Sequence, residues 1–164
     1  MTNINSIYYQ SPIGLLKISG TESHITNLSF EENQEYLPES AKNTGILQQC
    51  VEELAAYFNG KSRAFNIPVN QPGTPFQNKV WEELLNIDYG KTISYLTLAK
   101  RLGDPNCIRA AAASNGKNKL CIIVPCHRVI GSNQSLVGYA GGLWRKKWLL
   151  DHESKMANGL QTLF

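Results

Sequence analysis

At 164 residues with 42% apolar content, the chain is long enough for one ordinary domain or two small ones with a filled core. It has no uninterrupted apolar run near the roughly 20 residues that span a bilayer, and its polar start, Met1-Thr-Asn-Ile-Asn, lacks the basic-then-apolar order of a secretory signal. A cytoplasmic protein with no membrane partner is expected. The net charge of +3 hides an uneven distribution: residues 1–74 hold four Lys/Arg against seven Asp/Glu, and residues 75–164 hold twelve against six. The basic half is the candidate nucleic-acid surface, a solvated face being the alternative that charge alone leaves open. The four cysteines, Cys50, Cys107, Cys121 and Cys126, are too few and too irregular for a disulfide framework and contain no C-x-x-C pair, so reduced thiols are expected.

Residues 6–30 read as a strand meander: Ile7-Tyr-Tyr9 and Leu15-Leu-Lys-Ile18 flank a Ser-Pro-Ile-Gly turn, and Ile25 to Phe30 resumes after Gly20-Thr-Glu-Ser23. The apolar spacing predicts a helix over 46–58 that stops at Asn59-Gly60, then a short strand over 64–69. Asn70-Gln-Pro-Gly-Thr74 reads as a linker, which places two domains at 1–73 and 74–164. Thr74-Pro75 caps a helix expected to run to Ile87. Ser94 caps a second helix ending at Gly103, and Asp104-Pro105 starts a third through Ser114 that stops at Asn115-Gly116. Two short helices around a glycine turn form a candidate helix-turn-helix. A last helix is predicted from Leu143 to about Glu153, after the glycine-rich Gly138-Tyr-Ala-Gly-Gly142.

The chemistry concentrates in Ile122-Ile-Val-Pro-Cys-His-Arg-Val-Ile-Gly131, where an apolar run leads through proline into adjacent cysteine and histidine. A thiol attacks as thiolate, and with an ordinary pKa of about 8.5 it needs a base nearby at neutral pH. His127 is a candidate, directly or through a water. From these residues alone a buried cysteine beside a satisfied histidine is the simpler reading. A metal site using Cys121, Cys126 and His127 lacks a second ligand pair of familiar spacing.

Pro125-Cys-His-Arg-Val129 resembles the active-site signature of the O6-alkylguanine-DNA alkyltransferases, the methylated-DNA–protein-cysteine methyltransferases. The likeness extends through Gly73-Thr-Pro-Phe-Gln77, Val80-Trp81, Tyr89-Gly-Lys-Thr-Ile-Ser-Tyr95, Arg109-Ala110, Asn115-Gly-Lys-Asn118, Gly138-Tyr-Ala-Gly-Gly-Leu143 and Leu149-Leu-Asp-His-Glu153. It covers residues 73–155 strongly; the N-terminal part agrees in organisation only. It implies a mixed α/β (α+β) fold, with a small ribonuclease-H-like strand meander plus helix joined to a helical DNA-binding and catalytic domain.

Carried over residue by residue, the resemblance makes Cys126 the acceptor of the alkyl group and His127 the base that takes its proton through a water. Glu153 would orient His127, and Asn118 would tie the helix-turn-helix to the active-site loop. Arg109 would enter the duplex in place of an extruded base, with the small residues Ala110, Ala113 and Ser114 letting its helix approach a groove. Tyr95 would rotate the target phosphate. Tyr139, Gly138, Val129, Tyr95 and Lys146 would line the guanine pocket, although in Arg145-Lys-Lys147 the residues alone read as a solvated cationic face. Lys119-Leu120, Cys121 and Asp88 depart from the family pattern and bear on pocket tolerance and loop rigidity. The histidine and cysteine zinc ligands of some relatives are not evident, so neither a metal nor a cofactor is expected.

The implied function is irreversible, single-turnover transfer of the alkyl group from O6-alkylguanine, and from O4-alkylthymine, in double-stranded DNA to Cys126. The implied protein is a monomer that can bind DNA cooperatively. The main alternative is a module that flips and flags alkylguanine without transferring the group; Cys126 argues against it. A sequence-reading transcription regulator is a third possibility, disfavoured by a recognition helix poor in base-reading side chains.

Overall fold

Ser11-Pro-Ile-Gly14 reverses the chain as its composition predicts, joining β1 (Asn5–Ser11) to β2 (Gly14–Gly20) in a hairpin whose register places Ile7 opposite Ile18. The computed structural model describes residues 3–32 and 45–158 and divides into two units, Met1–Gln71 and Pro72–Phe164. In the first, β2 is the central strand of an antiparallel sheet of order β1-β2-β3, with β3 spanning Ile25–Phe30. Helix α1 (Gly45–Phe58) lays Leu47, Cys50, Leu54, Tyr57 and Phe58 on one stripe, and these bury with Ile7, Leu16, Ile18, Ile25 and Leu28.

The strand predicted over 64–69 does not form. Val69 makes only an isolated bridge to Ile25, because Pro68 has no N–H and the Asn66 and Ile67 amides are spent on the Glu53 carboxylate at 2.6 and 3.1 Å.

In the second unit, Thr74 opens α2 (Pro75–Leu84) through a reciprocal capping box with Gln77. The helix stops three residues short of Ile87. Its last amides bond three residues back, and Ile87 stays buried with its carbonyl turned to Arg128 Nη1 at 2.7 Å. Helix α3 (Tyr95–Arg101), capped by Ser94, is followed by Gly103 at φ 99°, a left-handed turn that glycine adopts without steric cost. The third predicted helix splits: Asp104 caps a single 3-10 turn, Pro105–Cys107, and α4 (Ile108–Gly116) follows. Helix α5 (Leu143–Asn158) runs five residues beyond the predicted end.

Two short elements escape the sequence pattern. β4 (Ile93–Ser94) pairs in parallel with β5 (Val129–Ile130), Ile93 against Val129 and Ser94 against Ile130. β4 immediately precedes Tyr95 and β5 immediately follows Cys126-His-Arg128, so this pair carries Tyr95 to the cysteine. No helix among the described residues is long and apolar enough to cross a membrane.

Candidate active site

The approach to Cys126 is tightly wound. Ile122, a β-branched residue, holds φ 72°, and the Ile123 amide bonds to the Cys121 carbonyl at 2.8 Å. Such a backbone costs on the order of 1–3 kcal/mol and persists only where packing over-determines it, here by burial of Ile122, Ile123 and Val124. Pro125 at φ −81° and ψ 66° makes a second three-residue turn, closed by the Cys126 amide on the Val124 carbonyl at 2.8 Å. A 3-10 turn, Cys126–Arg128, then leads into β5. Asn118 ties this loop to the end of α4: its backbone amide donates to the Asn115 carbonyl at 3.3 Å, its Nδ2 donates to the Val124 carbonyl at 2.8 Å, and its Oδ1 accepts from the Leu120 amide at 3.1 Å.

Cys126 is buried, and burial pushes its thiol above its ordinary value against the opposing pull of the Asn118 amide, the Lys146 ammonium and its own backbone amide. The resting group at neutral pH is a thiol, so its proton has to leave as it reacts. His127, the next residue, is fully buried with Nε2 2.7 Å from Glu153 Oε2. Because the carboxylate accepts from Nε2, the neutral ring keeps its lone pair on Nδ1, which has no hydrogen-bond partner among the described residues.

Glu153 binds a second partner besides His127, the Arg128 guanidinium. Arg128 donates to it through Nε at 2.8 Å and Nη2 at 3.1 Å, while its Nη1 takes the Ile87 carbonyl and its guanidinium lies 5.6 Å from the Tyr89 ring centroid. Burial opposes ionisation of Glu153, yet His127 and Arg128 overcome it and hold the carboxyl well below the usual carboxylate range. Gly90, at φ 79°, brings its amide to 3.5 Å of Oε1; a Cβ there would sit 2.7 Å from Ala157 Cβ. The motifs named Glu153 but gave Arg128 no role. Its signal was its place in the Cys126-His-Arg128 run.

Lys146 lies seven residues before Glu153, two turns back on the same face of α5 and about 10 Å along the axis. The solvated reading of Arg145-Lys-Lys147 is corrected: Arg145 and Lys146 are buried, and only Lys147, paired with Asp151 at 2.7 Å, is part-exposed. Lys146 Nζ donates to the carbonyls of Val129 and Val137 at 2.7 Å each and of Gly138 at 3.1 Å. It thereby staples the glycine-rich loop to β5. Burial lowers its pKa to about 8, with the Cys126 charge pulling the other way.

Tyr95, at the N-terminus of α3, is half-buried, its hydroxyl 3.5 Å from the Val137 carbonyl and its ring centroid 5.9 Å from Lys146 Nζ. Burial raises its pKa, the Asn115 amide opposes this, and the Cys126 charge adds to it. The Tyr139 hydroxyl is buried beside the Cys121 and Cys126 thiols, and its pKa is raised well above normal by burial first and then by these two. Gly138, at φ 56°, is exposed on the same loop. Cys126, His127, Glu153, Asn118, Tyr95, Tyr139, Val129, Gly138 and Lys146 therefore converge on one site.

On α4, Arg109, Ala110 and Ala113 are exposed. Ser114 is not: it is buried, and its carbonyl accepts from Trp81 Nε1 at 2.9 Å, so it faces the interior and drops out of the groove-facing set. Asn115, expected to do no more than stop the helix, is buried with Nδ2 3.3 Å from the Cys126 carbonyl and 3.5 Å from the Tyr95 hydroxyl.

Residues 75–155 match the profile described as 6-O-methylguanine DNA methyltransferase, DNA binding domain, and residues 4–71 match the ribonuclease-like domain of the same family. A methylated-DNA–protein-cysteine methyltransferase of Mycobacterium tuberculosis is 44% identical over 157 residues, covering 94% of each chain. The crystal structure of Mycobacterium tuberculosis O6-methylguanine methyltransferase superposes with a TM-score of 0.85 at 40% identity, covering 96% of this chain and 97% of that one. A structure of Mycobacterium tuberculosis OGT in complex with DNA gives 0.82 at 41% identity, with 93% of each chain covered. With both halves matched over nearly their whole length, the chain belongs to the 6-O-methylguanine DNA methyltransferase family.

Proposed function

We propose that this protein repairs double-stranded DNA by transferring the alkyl group of O6-alkylguanine, and of O4-alkylthymine, irreversibly to its own Cys126. The observation that carries the reading is the buried His127–Glu153 pair that directly follows a buried Cys126, in a chain that matches the family over both domains. In the reaction, His127 Nδ1 takes the thiol proton, through a water. Sγ then attacks the alkyl carbon in line as the carbon–O6 bond breaks and its electrons pass to the guanine ring. Tyr95 hydrogen-bonds the leaving base. The thioether cannot be resolved by a second step, so each molecule acts once and no cofactor takes part.

A stacked base leaves sulfur no room to approach, and extrusion costs a few kcal/mol. Arg109 fills the gap, Tyr95 crowds the phosphate, Ala110 and Ala113 permit close approach of α4, and the basic half supplies sequence-independent affinity. The same reading gives a cytoplasmic monomer of two domains, 1–73 and 74–164. Incubation with duplex DNA containing O6-methylguanine should add the mass of one methylene to the intact protein; an unchanged mass overturns the proposal. Arg109→Ala should slow repair of duplex about tenfold or more, in line with the cost of holding the flipped state open, and leave reaction with free O6-benzylguanine nearly unchanged. Equal losses in the two rates would assign Arg109 to the pocket or to folding.

A further inference from the structure

The C-terminal end of α4 contributes a side chain to the site that the proposed roles above do not use. Asn115 Nδ2 reaches the Tyr95 hydroxyl at 3.5 Å and the Cys126 carbonyl at 3.3 Å, and so touches both the leaving-group donor and the acceptor residue. The neighbouring residue fixes it in place, since the Ser114 carbonyl is held by Trp81 Nε1. Asn115 Oδ1 is buried without a hydrogen-bond partner among the described residues. A residue retained only for packing would avoid that cost, because a leucine of similar size buries no orphaned acceptor.

We propose that Asn115 is a positioning residue that makes Tyr95 a better hydrogen-bond donor to the departing guanine. A phenol oxygen can accept one hydrogen bond while donating another. With Asn115 Nδ2 occupying the acceptor side, the Tyr95 proton is directed to the other side, where in the free protein it meets the Val137 carbonyl at 3.5 Å. That carbonyl belongs to the loop bordering the pocket and is already taken by Lys146 at 2.7 Å, so a bound base can claim the proton with little loss. Accepting from an amide also withdraws electron density from the phenol oxygen and strengthens it as a donor, in keeping with the lowering effect of Asn115 on the Tyr95 hydroxyl. The benefit grows in the transition state, when the carbon–O6 electrons move onto the ring and the base becomes an anion. Both Asn115 contacts are long for hydrogen bonds at rest, and contacts of this kind tighten when substrate arrives. Through the Cys126 carbonyl the same amide fixes the spacing between donor and sulfur.

This inference rests on the alkyl-transfer reading, and its test separates the two. Wild type, Asn115→Leu, Asn115→Gln, Tyr95→Phe and the Asn115→Leu/Tyr95→Phe double variant are compared in single-turnover transfer from O6-methylguanine duplex and in methylation of Cys126 by methyl iodide. The second reagent uses the same sulfur, but its iodide leaves without help from a donor. Asn115→Leu should slow transfer from DNA about tenfold, the effect of losing one hydrogen bond, while the methyl iodide rate stays within about twofold. Adding Asn115→Leu to Tyr95→Phe should slow transfer no further, since the two act through one group. Asn115→Gln should recover part of the rate. Equal losses with both methyl donors, or losses that multiply in the double variant, would overturn the assignment and make Asn115 a structural residue. Failure of the wild-type protein itself to accept methyl from DNA would instead defeat the proposed function.

Discussion

Cys126→Ala is expected to abolish methyl uptake from O6-methylguanine duplex while leaving DNA binding largely intact. The expectation depends on what the other thiols can do. Cys50 is buried under the N-terminal sheet, where burial, reinforced by Glu53, pushes its pKa to about 12. Cys107 sits on the turn before α4 with its sulfur directed at the Ala99 carbonyl. Cys121 is the one rival near the pocket, beside Tyr139, but it lacks the adjacent histidine–carboxylate pair. Intact mass followed by peptide mapping reads the outcome, with a salt-matched titration for binding. Undiminished uptake by Cys126→Ala, or methyl recovered on Cys121, would sink the assignment. The methylated wild type should also melt lower than the fresh protein. An added methyl at a buried site costs about 1–3 kcal/mol by overpacking, and for a chain of this size each kcal/mol is worth about 2–4 °C. Its hold on DNA should weaken as well, because Asn118 and Asn115 join the Cys126 loop directly to the end of α4. Identical melts and titrations of the two forms would refute this coupling and leave the transfer chemistry standing.

Glu153→Gln should be the most destabilising single change in the site, by about 3–5 kcal/mol, and should slow transfer about a hundredfold or more. Both carboxylate oxygens are committed, to His127 Nε2 and to Arg128 Nε and Nη2, and Glu153 is 1% exposed. Glutamine supplies one acceptor and turns an NH2 donor toward another donor, so a buried guanidinium loses its counter-charge and the imidazole loses its orientation. A pH series distinguishes this from simple misfit. The folded state keeps Glu153 ionised to lower pH than the unfolded chain does, so its stabilising contribution is complete above the ordinary carboxylate range, begins to fall as pH drops through that range, and is lost only as pH reaches the depressed folded value. Denaturant midpoints of wild type and Glu153→Gln should therefore converge on acidification. Curves that stay parallel would show that the charge was not the source of the difference.

Local chemistry made much of this protein legible in advance. Ser11-Pro-Ile-Gly14 and the Thr74-Pro75 cap with Gln77 each act within a few residues, so the hairpin and the start of α2 follow from covalent neighbours alone. The Cys126-His-Arg128 run was ambiguous by itself, and only its likeness to a family signature, with the companion motifs over residues 73–155, marked it as the candidate reactive segment. The sequence could not disclose contacts whose partners lie far apart in the chain. Ile87 ended a helix early and offered its carbonyl to Arg128, 41 residues on; Asn66 and Ile67 gave their amides to Glu53 in place of a strand partner. Lys146 read as a solvated cation and became a fully buried staple, because three carbonyls from two other segments replace its water. Asn115 read as a helix stop and entered the site only when the two-residue β4–β5 pair, too short for any periodic signal, brought Tyr95 against Cys126. Residue identity thus determined which chemistry is present, while the long-range pairing of backbone carbonyls and amides decided which side chains share in it.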